Sequence, residues 1–436
     1  MYTKNKFFER QMEDMDLIML EKEIGQKDKG KLKIKESARL EGIRSRLPLS
    51  SANGKTLNDH DQFYRDHKLL LVLFVLMGVM PLQRGEIGKI TFRWCSFATW
   101  YAGIFYMLTS MLVLVIGYER LQILSSMENR RFDEYIYAII FVVLLVPHFW
   151  IPFVGWSVAQ DVTVYKNSWT HYQLRYYRIT GKNLEFPNLQ TLIAVISIAC
   201  LGFALAFLWA LSSLLEGFTP WHTCAYYHII TMINMNVALW YINCRGVRDA
   251  SNALAESFQG EIDKRCAPYI ISYYRHLWLA LSEILQRLGN AYARTYSTFS
   301  LFMFVNITIA LYGFLSEVID TGFTLTFKEL GLLVDSLYCL ALLYIFCDCA
   351  YNASGAVTKR IQAVLFSIDM KGIESAAIAE IQLFLQAIEM NPPNVSLKGY
   401  AIVNRNYFTS MITSMALYMI VLVQFKVSFS KRNVSL

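Results

Sequence analysis

QTLIAVISIACLGFALAFLWALSSLL, residues 190–215, runs for 26 residues without a single charge. A helix that crosses a bilayer needs about 20 mainly apolar residues. In lipid only a helix or a closed barrel satisfies every backbone polar group. Six further stretches have the same character, at 97–117, 135–157, 223–243, 298–319, 329–351 and 405–425. Charged residues make up 17% of the 436-residue chain and hydrophobic ones 55%. A soluble domain carries about a quarter charged residues. The expected fold class is therefore all-α: a polytopic membrane protein with seven transmembrane helices.

Charge sets the expected orientation. Lys and Arg gather in cytoplasmic loops. With the N-terminus inside, 34 of the 41 Lys and Arg lie in the tail, in the loops after spans two, four and six, or at the inner ends of spans; 7 lie on the outside. Seven spans then put the C-terminus outside. The net charge of +7 follows from this bias and needs no nucleic acid; anionic lipid of the inner leaflet is partner enough. The first long apolar run begins near Leu69, so no cleavable signal peptide is expected. Residues 1–68 are read as a cytosolic, largely disordered tail and 69–436 as the seven-helix domain, with 404–426 as its last helix. The run 69–82 is short for a span, which suggests an interfacial or re-entrant helix. The loops at 244–297 and 352–404 are long and carry helical periodicity at 273–288 and 373–390. These patterns are expected to continue the spanning helices into a cytosolic bundle. Eight cysteines lie mostly in or below the spans, so no disulfide framework, metal site or cofactor is expected. Of the N-x-Ser/Thr matches, only Asn433 is outside in this topology.

The last span starts polar and ends apolar. Ser414, Tyr418, Val421 and Phe425 share one helical face. A small hydroxylated half followed by a bulky apolar half suits a water-filled vestibule closed by a hydrophobic constriction. Helix–helix packing uses the same residue types, so both readings stand.

Tyr418-Met-Ile-Val-Leu-Val-Gln424-Phe425, near the end of a seven-span, N-inside chain, resembles the signature of insect gustatory receptors. That pattern is Thr-Tyr, five apolar residues, then Gln-Phe; Leu417 stands where the Thr is expected. Further stretches are similar to the carbon dioxide receptor lineage: Phe63-Tyr-Arg-Asp-His-Lys68, Val146-Pro-His-Phe-Trp-Ile-Pro-Phe-Val-Gly-Trp156, Tyr165-Lys-Asn-Ser-Trp169, Trp221-His-Thr-Cys-Ala-Tyr-Tyr-His-Ile-Ile230 and Trp240-Tyr-Ile-Asn-Cys-Arg245. The resemblance implies a ligand-gated nonselective cation channel in the plasma membrane of sensory neurons. It implies a tetramer with paralogous subunits, the last span lining the pore, and Gln424 and Phe425 at the outer gate above Tyr418.

In this topology the outer halves of spans two to six enclose a pocket for a small molecule. Its candidate residues are Tyr137, Trp209, Tyr226, Tyr227, His228, Thr231, Tyr312, Glu317, Asp335 and Tyr338. Intramembrane ionisable groups are costly and often functional, which singles out Asp335. His148, flanked by Pro147 and Pro152, is expected in a kinked helix, bonded to the freed carbonyls. Carbon dioxide has three heavy atoms, and ligand efficiency limits it to about 4.5 kcal/mol. Lys and Arg are not evident in the outer halves, which favours the dissolved gas over bicarbonate. Sugars or bitter compounds are the alternative ligands. A G-protein-coupled receptor needs the opposite orientation and motifs not found here, and an enzyme needs acid or His clusters that the chain does not gather.

Overall fold

The computed structural model describes residues 61–84, 90–126, 132–214, 220–322 and 326–434. The chain divides at Ala52/Asn53, and everything below concerns the larger part. Expectations for the tail up to residue 60 lie outside the described residues, as do the side chains of Tyr137 and Asn433.

Eleven helices are described. They are α1 (Gln62–Leu76), α2 (Phe97–Ser126), α3 (Phe132–Val143), α4 (Val146–Thr180), α5 (Leu189–Leu214), α6 (Thr223–Ile262), α7 (Pro268–Ala291), α8 (Ala293–Thr321), α9 (Phe327–Phe366), α10 (Ser375–Met390) and α11 (Arg405–Val434). A minimal antiparallel pair, Gln83–Arg84 with Ile90–Thr91, joins α1 to α2. All seven apolar stretches are helical, and the chain is an all-α polytopic membrane protein. Six segments are long and apolar enough to cross a membrane, in α2, across α3–α4, and in α5, α8, α9 and α11.

The stretch at 223–243 is missing from those six, for a physical reason. It forms the first half of α6, the central helix, and nearly every residue from Ile229 to Asn243 is buried against protein. A helix that meets protein all round can keep Thr231, Asn234, Asn236 and Asn243 inside, because neighbours supply hydrogen bonds that lipid cannot. Asn236 and Asn243 bond back to the carbonyls of Met232 and Leu239 at 2.8 and 2.7 Å. The tightest packing is between α6 and α9. Aromatic donors tie this bundle together: Trp240 Nε1 to Phe346 O at 2.9 Å, Trp278 Nε1 to Val357 O at 2.9 Å, and Tyr296 OH to Asn236 O at 2.7 Å.

Span two is broken rather than bent. α3 ends at Val143 and α4 begins at Val146 with Pro147 in its first turn, where a missing N–H costs least. His148 does not bond the freed carbonyls as expected; its Nε2 meets Ser110 Oγ on α2 at 2.9 Å. At about 1.5 Å per residue, the helices α4, α6 and α9 are far longer than the ~30 Å hydrocarbon core. Their charged ends form a bundle with α7 and α10 at one end of the molecule. The periodicity at 373–390 belongs to the separate helix α10, not to a continuation of α9. α10 ends at Met390, ahead of Asn391-Pro392-Pro393. The pattern at 273–288 is α7, which meets α8 at a break at Tyr292.

α1 is about 22 Å long, too short to cross. Leu69, Val72 and Leu76 are exposed on one stripe, while Phe63, His67, Leu70 and Phe74 are buried. Its start joins three of the sequence motifs in one buried cluster. Asp61 caps α1 and accepts bonds from Thr170 Oγ1 (3.0 Å) and Gln173 Nε2 (3.1 Å) of α4. Phe63 stacks on Trp169 at 4.2 Å between ring centres, and Lys166 Nζ lies 4.7 Å from the centre of the Phe63 ring while donating to Asn243 Oδ1 of α6 at 2.9 Å. A Cβ on Gly246 would stand 2.8 Å from the Phe63 ring, so α6 needs glycine there. His67 is fully buried, its Nδ1 donating to Phe63 O at 2.7 Å. Burial, with the nearby Lys166 charge adding, holds its imidazole well below the ordinary range.

Candidate ligand pocket and pore helix

Asp335 and Tyr338 stand three residues apart on α9, on one face, and aim into the seam with α6 and α8. Asp335 is 1% exposed; its Oδ2 accepts from Asn306 Nδ2 of α8 at 2.9 Å, and the same amide lies 3.1 Å from Cys339 Sγ. Tyr338 OH donates to Asn234 Oδ1 of α6 at 2.9 Å, and its ring sits 4.4 Å from that of Phe207 on α5. Four buried atoms here have no hydrogen-bond partner among the described residues: Thr231 Oγ1, Asn234 Nδ2, Asn306 Oδ1 and Asp335 Oδ1. Leaving such a group unmade costs about 1–3 kcal/mol. Unsatisfied buried groups are rare in folded proteins, and each calls for a partner such as a water or a ligand. Three helices thus bring donors and acceptors to one seam, and α5 adds the apolar wall of Phe207. The chemistry suits a small molecule that offers both partial charges.

A second group lies between α2, α4 and α6. His228 packs edge-on to Phe105 at 5.3 Å and stands 6.3 Å from His148, whose ring stacks on Tyr106 at 5.1 Å. Tyr226 is 1% exposed, its OH donating to Phe141 O of α3 at 2.9 Å. Tyr227 and Glu317 are half-buried, and Tyr312 is buried. Trp209 is 75% exposed and faces away from the seam. Two residues along a helix are about 200° apart, so the side that buries Phe207 turns Trp209 outward. Tyr137 lies on α3.

One premise is corrected. Arg120, counted among the basic residues on the outside, belongs to α2, which runs about two and a half turns past its expected end, and is 3% exposed. It lies over the Phe141 ring at 4.4 Å and bonds His222 Nδ1 at 2.9 Å, and His222 Nε2 pairs with Glu119 Oε2 at 2.8 Å. A cation does therefore stand at this end of the bundle.

α11 is the least buried of the apolar helices: only 11% of its most apolar stretch is buried. Phe408, Met415 and Met419 pack it against α8 and α9, while Tyr418, Val421 and Phe425 are 58%, 46% and 60% exposed. Ser414 and Gln424 are exposed as well; the Ser414 hydroxyl bonds back to Ser410 O at 2.9 Å. Tyr418 and Val421 also edge an apolar groove of about 240 Å³ shared with Phe304 and Thr308 of α8. At the bundle end Arg405 pairs with Asp348 of α9 at 2.6 Å, and at the other end Lys426 pairs with Asp320 of α8 at 2.8 Å.

The family described as 7tm Chemosensory receptor matches residues 67–429. This chain belongs to that family. It is similar to Gustatory and odorant receptor 22 of Anopheles gambiae, at 39% identity over 394 residues, 89% of this chain and 84% of that protein. It is 37% identical to Gustatory and odorant receptor 21a of Drosophila melanogaster over 417 residues, 95% and 91% of the two chains. Among solved structures, the insect olfactory receptor OR5 from Machilis hrabei in complex with eugenol superposes with a TM-score of 0.58 at 11% identity, over 84% of this chain and 100% of that one. That likeness speaks for the fold. The chain is a multi-pass chemosensory receptor of the insect gustatory and odorant superfamily, and the family is one of receptors, not enzymes.

Sequence reasoning missed Asn234 and Asn306. Asn306 opens an N-x-Thr match within the 298–319 stretch and was not singled out as a pocket residue. The usable signal was an amide in mid-membrane, as costly there as a carboxyl without a partner.

Proposed function

We propose that this receptor is a subunit of a ligand-gated nonselective cation channel that responds to dissolved carbon dioxide. The observation that carries the reading is α11: an apolar helix left almost uncovered by its own chain, with Ser414, Tyr418, Val421 and Phe425 along one exposed face. Such a helix needs other subunits, lipid and a water path around it. A tetramer with paralogous subunits supplies all three. The N-terminus lies inside and the C-terminus outside, in the plasma membrane of sensory neurons, so the helical bundle is cytosolic and Phe425 with Gln424 forms the outer gate.

The ligand seam is the polar knot around Asp335, Tyr338, Asn306, Asn234 and Thr231, with Tyr226, Tyr227, His228, Tyr312 and Glu317 nearby. Carbon dioxide has an electron-poor carbon and two acceptor oxygens, so a carboxyl oxygen and amide donors together match it. Bounded to about 4.5 kcal/mol, it binds in the millimolar range or more weakly. Arg120 lies beside Tyr226 but is already engaged by His222 and the Phe141 ring. The gas therefore remains the favoured ligand on the grounds of the knot's own groups. The test is the evoked current in cells expressing the full chain with paralogous subunits. Current should follow dissolved carbon dioxide at fixed bicarbonate. Current that follows bicarbonate at fixed carbon dioxide, or that answers only sugars or bitter compounds, overturns the reading.

A further inference from the structure

Lys426 is the first residue after Gln424-Phe425, and a cation beside the gate of a cation channel needs a reason. A fixed positive charge facing the pore repels permeant cations. Lys426 faces elsewhere. On a helix it falls with Phe408, Met415 and Met419, roughly 100° from the face of Ser414, Tyr418, Val421 and Phe425. Its side chain is 12% exposed. The ammonium meets three acceptors on α8: Asp320 Oδ2 at 2.8 Å, Ser316 O at 2.7 Å, and Ser316 Oγ. The Asp320 side chain is 18% exposed, although the residue lies at an open helix end, and Ser316 is fully buried.

The same helix, α8, carries Asn306, which bonds Asp335 in the seam. Tyr312, Ser316 and Asp320 are spaced i, i+4 and i+8, one above another on a single face. Tyr312 is buried one turn below the contact, and Glu317 adjoins it in sequence. A shift of α8 driven by a ligand at Tyr312 moves Ser316 and Asp320 with it. Lys426 carries that movement to the residue next to Phe425. The other tether of α11, Arg405 to Asp348, is at the far end and more open to water, at 52% and 23% exposed. Water screens an open pair and shields a covered one less, so the outer contact is the stiffer of the two.

We propose that the Lys426–Asp320–Ser316 contact is a latch that holds the outer end of the pore helix closed and couples ligand-driven movement of α8 to the gate. Lys426 and Asp320 are thus positioning residues for gating, with Lys426 kept out of the ion path by its partners. The proposal rests on the pore reading of α11 given above.

The test is a double-mutant cycle on basal current in full-length channels, normalised to surface amount. Lys426→Met and Asp320→Asn should each raise basal current at least about three-fold, and the double variant should match either single rather than their product. Lys426→Arg keeps the charge and should stay near wild type, which guards against a variant that merely misfolds. Half-maximal dissolved carbon dioxide should fall in both single variants, with permeability ratios among cations unchanged. Each variant is also made in a Phe425→Cys background and challenged with an external thiol reagent. Block of current with effects that multiply, or with no change in basal current, overturns the latch alone. Absence of block overturns the pore reading, and the latch with it.

Discussion

α6 and α11 invert the usual rule that apolar helices are covered and polar ones exposed. α6 carries amides and hydroxyls through its first half, and protein surrounds it. α11 is apolar from Met415 to Phe425 but for Gln424, and its own chain barely covers it. The first helix is the axle of one subunit, and its polar groups find partners inside that subunit. The second is left largely open by the chain that carries it. Hydropathy alone ranks α11 above α6 as a span, yet it says nothing of which surface meets lipid, protein or water. The contrast teaches that in this fold the apolar stretch that falls short as a membrane span, 223–243, is the most internal.

The same substitution in the two helices breaks or sustains this contrast. Leu239 of α6 is 1% exposed, and Leu239→Ala should lower stability by about 2–5 kcal/mol through cavity formation. The thermal midpoint of the purified chain in detergent reads it. Phe425→Ala acts where α11 has no cover. Losing about 1.5 kcal/mol of apolar closure should raise basal current roughly ten-fold with little change in that midpoint. Unaltered leak at equal surface amount removes Phe425 from the gate.

The clamp of α1 on α6 gives a pH test. His67 has a folded-state pKa below its ordinary 6.5, so the unfolded chain binds the proton more readily. Its contribution is present above about pH 6.5 and is lost as pH falls below that, at a slope of up to about 1.4 kcal/mol per unit. His67→Asn should flatten that part of the profile, and an unaltered profile places the acid sensitivity elsewhere. The smallest effect belongs to Leu417→Ala. That residue is 61% exposed, and the subunit's stability should change by no more than about 0.5 kcal/mol. A loss as large as that of Leu239→Ala means that α11 is covered within its own chain after all.

Much of this architecture was legible in the sequence, because apolar runs and proline breaks are local signals. Pro147 marked the α3–α4 break, and Asn391-Pro392-Pro393 marked the end of α10. The motifs at Phe63, Tyr165 and Trp240 were visible as a resemblance, but not that they meet at Lys166 and Gly246. That meeting depends on α1 packing against α5 and α4 so that Phe63 reaches Gly246 of α6, a long-range packing no local pattern carries. The pocket was half legible. Asp335, Tyr338 and Thr231 share the seam, whereas Trp209 turned outward because span membership gives depth but not rotation. Arg120 was misplaced because α2 continues through Tyr118-Glu119-Arg120, where its polar side finds His222 and Phe141 instead of water.

The central claim is that α11 is uncovered because it lines a shared pore. The most direct measurement is reaction of a membrane-impermeant cationic thiol reagent with Phe425→Cys during carbon dioxide-evoked current, with the unsubstituted chain as control. The account predicts rapid, irreversible block of the substituted channel only, faster when the ligand is present. Labelling at position 425, proved by mass, that leaves the current unchanged contradicts it.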